Sequence, residues 1–111
     1  MAGITKRLYG PAYLTNAAAN VYNNASASLW TKITKIHIAN VSGGAVTVTL
    51  YIGATGGSVG GTEFLKGLSI AANDEYNSYD VLRLDSTDFL TGLASAATSL
   101  VITIEGELNA V

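Results

Sequence analysis

Residues 45–53, Ala-Val-Thr-Val-Thr-Leu-Tyr-Ile-Gly, alternate almost without error between apolar and polar side chains. Val46, Val48, Leu50 and Ile52 fall on one side, and Thr47, Thr49 and Tyr51 on the other. A period of two in β-branched residues belongs to a half-buried strand. The buried side of such a strand needs a second apolar layer to cover it.

The rest of the chain repeats the theme. Leu29–Asn40 is a second long strand, but Ile33 is out of phase with Trp30, Ile36 and Ile38. Either Ile33 faces the opposite side, or a bulge near Thr34 and Lys35 resets the register. Asn40-Val-Ser-Gly-Gly-Ala45 supplies turn residues and predicts a hairpin with the next strand. Leu100–Leu108 is a further strand with Leu100, Ile102 and Ile104 inward and Gly106 as a candidate bulge. Shorter strands are expected at 62–68, at Tyr79–Leu84 (Leu82 and Leu84 on one face) and around Val21 and Tyr22. Residues 94–97 are expected as a short strand or loop, and Ala71–Glu75 as a turn. Arg7–Leu14 forms a strand that Gly10-Pro11 interrupts, and proline confines such a strand to an edge or a bulge.

About seven or eight strands separated by Gly, Asn and Asp turns predict an all-β, single-domain antiparallel β-sandwich or jelly-roll-like barrel. Within it, residues 1–17 are expected as an N-terminal arm or edge segment and residues 18–111 as the sandwich proper.

The chain has 111 residues, enough to bury a core without staples, and no cysteine, which rules out disulfides and thiolate metal sites. Its first residues lack the apolar run of a secretory signal, and no stretch approaches the length of a membrane span. Synthesis in a cytoplasm as a soluble protein is the expectation. Charged residues make up 13% of the chain against a typical ~25%, while 49% are hydrophobic. Burial in an assembly accounts for that balance better than a monomer with a neutral polar surface. A net charge of −2 with six basic residues argues against a nucleic-acid footprint. The acids all lie from Glu63 onward, whereas Lys6, Arg7, Lys32 and Lys35 precede it.

Chemistry has few places to reside. Gly56-Gly-Ser-Val-Gly60 spells a nucleophile elbow, but no helical pattern follows Ser58 and the single His37 precedes it. The glycine-rich stretch 53–62 lacks the Gly-Lys-Ser/Thr of a phosphate loop and is expected as a connection between strands. One histidine cannot build a common zinc site, and Asp85-Ser-Thr-Asp88 lacks calcium-loop spacing. Glu105 and Glu107 share a face, but a chain this short offers little cleft for a sugar polymer. No catalytic, cofactor or metal residue is therefore assigned, and no enzyme activity is expected.

The segment Lys35–Gly53 resembles a pattern in small virion proteins of tailed bacteriophages. In those proteins a strand ending Ile-x-Ile/Val-x-Asn passes through a Ser/Gly turn into Val-Thr-Val-x-Leu. Asp88–Gly106, with Leu-Val-Ile-Thr-Ile-Glu-Gly at its end, looks like their closing segment, so the likeness spans Ala18–Leu108. The resemblance implies a non-enzymatic capsid decoration (cement) protein on the capsid exterior. Its implied partners are the major capsid protein and further copies of itself, a trimer being favoured, with neither nucleic acid nor membrane. The alternative is a tail or head-fibre component acting as a receptor- or glycan-binding module through its tyrosines. Leu8, Tyr9, Pro11, Tyr13 and Leu14 form an apolar stretch near a chain end. With Tyr22, they are the residues expected at the capsid or subunit interface.

Overall fold

A computed structural model of the chain describes residues 3–24, 26–53 and 61–111. All regular structure among them is strand: β1 (Ile4–Tyr13), β2 (Ala19–Asn23), β3 (Leu29–Asn40), β4 (Val46–Gly53), β5 (Glu63–Ile70), β6 (Glu75–Ser78), β7 (Leu82–Leu84), β8 (Phe89–Ala94) and β9 (Leu100–Ala110). One sheet, A, runs β1-β9-β3-β6, with β7 on the same side of β3 as a continuation of β6. The other, B, runs β2-β8-β4-β5, and every pairing is antiparallel.

Counting β6 and β7 as one broken strand gives eight positions in two four-stranded sheets. The pairings nest: β1 with β9, β2 with β8, β3 with β6–β7, and β4 with β5. The chain is thus one long hairpin folded over itself. That is the jelly-roll form of the β-sandwich.

The core lies between the sheets. Ile33, Ile36, Ile38, Leu84, Leu100, Ile102 and Ile104 come from sheet A, and Val46, Val48, Leu50, Ile70, Leu90 and Ala94 from sheet B. The alternation read from 45–53 is realised: Val46, Val48 and Leu50 are buried, and Ile52 packs against the same cluster.

β3 solves its phase problem with a bulge. Thr31 and Ile33 face inward before it, and Ile36, Ile38 and Asn40 after it; the pairing with β9 skips between Ile33 and Lys35. The change of phase turns Trp30 outward. Gly106 is not itself the bulged residue. It sits in the regular strand opposite Ile33, where an added Cβ would overlap the Lys32 carbonyl oxygen and crowd Leu8. β1 is irregular for a similar reason, since Gly10 has φ +82° and the register with β9 shifts between Tyr9 and Ala12.

Three expectations need correction. Residues 40–45 do not close a hairpin, because β3 and β4 belong to different sheets. Buried Asn40 holds this crossing in place. Its Nδ2 donates to the Gly44 and Ile70 carbonyls (2.8 and 2.9 Å), and its Oδ1 accepts from the Ser42 N–H and hydroxyl (2.9 and 2.7 Å). The turn therefore spans the ~10 Å between layers. The strand expected at Tyr79–Leu84 shortens to Leu82–Leu84, with Tyr79 and Val81 left exposed in the break. Finally, β6 and β8 occupy stretches with no anticipated strand, because neither alternates cleanly. In β8, Thr91 and Gly92 are as buried as Leu90.

A second buried polar set ties the sheets together. The Thr31 hydroxyl donates to Asn24 Oδ1, and Asn24 Nδ2 donates to the Asp85 carbonyl at 2.8 Å. No buried side-chain nitrogen or oxygen among the described residues lacks a partner, as a well-formed core requires.

Two outcomes check the fold. Val48→Asp places a charge where the side chain is fully buried. It should cost on the order of 4 kcal/mol in a urea melt. Gly106→Ala forces β3 and β9 apart and should cost about 2–3 kcal/mol. Gly43→Ala, with nothing within 4 Å of the added methyl, should stay within about 0.5 kcal/mol of wild type.

Candidate assembly surfaces

The two sheets present opposite kinds of outer face. β2, β4 and β8 contain no charged residue at all. Their outward side chains include Asn20, Thr47, Thr49, Tyr51, Phe89 and Leu93, matched across the strands as Thr49 with Leu93 and Gly53 with Phe89. The charged residues in the strands of sheet B are Glu63 and Lys66 on β5, 4.0 Å apart. Backbone N–H groups of Glu63 itself and of Gly61 hold the Glu63 carboxyl below the usual carboxylate range, with Lys66 adding to the effect.

Sheet A gathers the other strand charges. Arg7, Glu105 and Lys35 lie in one cross-strand row, and Glu107, Lys32 and Arg83 in the next. His37 projects from the outer face, as its phase against Ile36 and Ile38 predicts. Its Nδ1 is 2.6 Å from Asn77 Oδ1 and its Nε2 is 3.5 Å from the Glu75 carboxylate, so it clips β6 to β3. Lys35, His37, Thr103 and Glu105 line a shallow depression of about 200 Å³ there. Arg83 stacks 4.0 Å from the Trp30 ring centroid while pairing with Asp85 at 2.6 Å, and Lys35 lies 5.7 Å from the Tyr79 ring.

These contacts give the residues weighed for chemistry other work. Asp88 accepts the Asp85 N–H at 3.0 Å and donates its own N–H to the Asp85 carbonyl, closing the turn between β7 and β8. Among the described residues no group of three acidic, His or Cys side chains converges on a metal position. Ser58 lies outside the described residues.

The expected interface residues separate into three sets. Leu14 is 3% exposed and belongs to the core, so it is not available to a partner. Leu8, Tyr9 and Tyr22 are half-buried against that core, and the Tyr22 hydroxyl reaches the inward Thr31 hydroxyl at 3.4 Å. Pro11 and Tyr13 are exposed on β1, where Ile4, Lys6 and Arg7 join them. Among the described residues β1 is an edge of sheet A, paired on one side with β9. Sequence reasoning missed the opposite edge, where Tyr79 and Val81 are exposed beside Asp80. The signal was present in Asp80 itself, a poor strand former between two strand formers.

No protein-family model and no curated protein matches the chain. Among solved structures it is similar to a chain of the Bacillus endospore appendages described as a novel family of disulfide-linked pili. That likeness covers 99% of this chain and 89% of the other, at 15% identity and a TM-score of 0.55. It also matches, more distantly, a pentameric capsid protein from metagenomic phage sequences, at 11% identity and a TM-score of 0.35 over 98% of this chain and 65% of that one. The first likeness concerns the fold, an all-β sandwich over the whole chain, and the second is too remote to bear on it.

Proposed function

We propose that the chain is a non-enzymatic structural subunit of a virion. In its sharper form it is a capsid decoration protein that sits on the shell exterior and bridges capsomers, with the major capsid protein as partner. The observation that carries this reading is the segregation of charge between the sheets. A four-stranded outer face whose few charges are confined to one edge pair costs little to desolvate, so it suits permanent cover by another protein. The charged face of sheet A keeps the decorated particle hydrated.

Other features support the same reading. The resemblance of Lys35–Gly53 and Asp88–Gly106 to tailed-phage virion proteins points the same way. The fold is shared with a pilus-forming chain, so it suits repeated assembly. This chain has no cysteine, so cohesion between copies of it does not use disulfides. Binding to the shell would stabilise both partners by mass action. Of the N-terminal residues, Pro11 and Tyr13 are placed to add contact area. A glycan- or receptor-binding role is less well supported, because exposed Tyr13 and Tyr79 lie on opposite edges of sheet A and form no common platform.

The test mixes purified protein with capsids stripped of decoration and measures co-sedimentation. Wild type should bind. Leu93→Lys, at the middle of the uncharged face, should fold normally by circular dichroism yet bind roughly tenfold or more weakly, because it buries an unpaired charge. Equal decoration by Leu93→Lys would remove the role of this face. Binding to tails or glycans in place of shells would remove the decoration reading.

A further inference from the structure

Resting on that assembly reading, we propose that copies of this chain join head to tail through the two free edges of sheet A: β1 of one copy meets the β6–β7 edge of the next. Three independent observations on the molecule converge on this contact.

The first is charge. β1 carries Lys6 and Arg7 and no acid. The opposite edge and its flanking turns, residues 74–85, carry Asp74, Glu75, Asp80 and Asp85 against a single base, Arg83. Arg83 pairs with Asp85 at 2.6 Å and stacks on Trp30, so these two charges offset each other and Asp74, Glu75 and Asp80 set the sign of this edge. The two edges are therefore opposite in sign, which favours β1 meeting the other edge over β1 meeting itself.

The second is register. Arg7 lies across from Glu105, and Glu105 from Lys35; Lys6 lies across from Gly106, and Gly106 from Ile33. On the far side of β3, Ile33 pairs with Leu82 and Ile36 with Ser78, so these rows end at residues 78–82. A copy displaced sideways along the rows brings Arg7 to the break at 79–81, which holds Asp80, and Lys6 to Leu82, two residues further on. The row of Ile4, through Leu108 and Thr31, ends at Leu84. Tyr79 and Val81, 67% and 64% exposed, supply the apolar area that such a contact would cover.

The third is polarity. Sheet A has four strand positions in strict antiparallel alternation, so β1 and β6–β7 run in opposite directions. A simple sideways repeat, with no inversion of the next copy, therefore continues the antiparallel pattern across the junction. The break at 79–81 and the irregular half of β1 after Arg7 limit how far backbone pairing extends. That leaves side-chain charge to set the partner. The interface is heterologous, and the outer face of sheet B stays free for the shell.

Sedimentation velocity on the full chain, with and without stripped shells, tests this. Lys6, Arg7 and Asp80 are exposed, and their side chains make no hydrogen bond or ion pair among the described residues. Substitutions there should leave the circular dichroism spectrum and melt unchanged. Wild type is expected to self-associate. Lys6→Glu with Arg7→Glu, and separately Asp80→Lys, should each weaken self-association at least tenfold. The chain carrying all three changes should regain it. Self-association that survives either single-edge change overturns the head-to-tail contact while leaving the assembly reading intact. Sensitivity to Lys6→Glu with Arg7→Glu but not to Asp80→Lys would mean that β1 pairs with its own copy, and also overturns it. Wild type that stays monomeric both alone and on shells would overturn the head-to-tail contact, whereas wild type that binds no shells would overturn the assembly reading itself.

Discussion

The pairing of β3 with β9 is the constraint on which the rest of the molecule depends. These are the two longest strands, and their contact runs from Leu29–Ala110 to Asn40–Leu100. β9 holds β1 on its other side, and β3 holds β6 and β7, so all of sheet A hangs from this one ladder. The ladder works only because Thr34 is squeezed out as a bulge. Without that extra residue, Ile33 and Ile36 could not both reach the core. Gly106 is the matching concession on β9, a position where the backbone of β3 passes too close for any side chain.

Much of this was written in local pattern. Strict alternation identified β4 and the inward half of β9, because period two needs no knowledge of neighbours. The out-of-phase Ile33 announced a bulge before any partner strand was known. β8 and β6 were illegible for the opposite reason: Thr91, Gly92 and Ser78 are buried through what β2, β4 and β3 place around them. The Asn40–Ala45 turn reads as a hairpin because turn chemistry is local. Whether a turn stays in its sheet or crosses to the other depends on Asn40 reaching Ile70, thirty residues away.

The surfaces divide along the same line. Along the chain every acid lies from Glu63 onward, and most bases precede it. What this means physically appears only when β1 and β6–β7 become the two margins of one sheet. Leu14 illustrates the limit in reverse. In the sequence it belongs to an apolar stretch near a chain end, but the irregular course of β1 at Gly10 and beyond leaves it turned into the core while Tyr13 stays outside.

The nesting of the strands also has a consequence in time. β9 follows all the other described strands in the chain, yet it lies between the first and the third. A chain emerging from a ribosome cannot finish sheet A until residues 100–110 have appeared, and it must then close the longest loop in the fold. Until that moment β1 has no place to settle, so the margin that carries Lys6 and Arg7 does not exist as a surface. A jelly roll built in this order presents the edge that carries Lys6 and Arg7 only once residues 100–110 have joined the sheet, so a chain still lacking them offers no such edge.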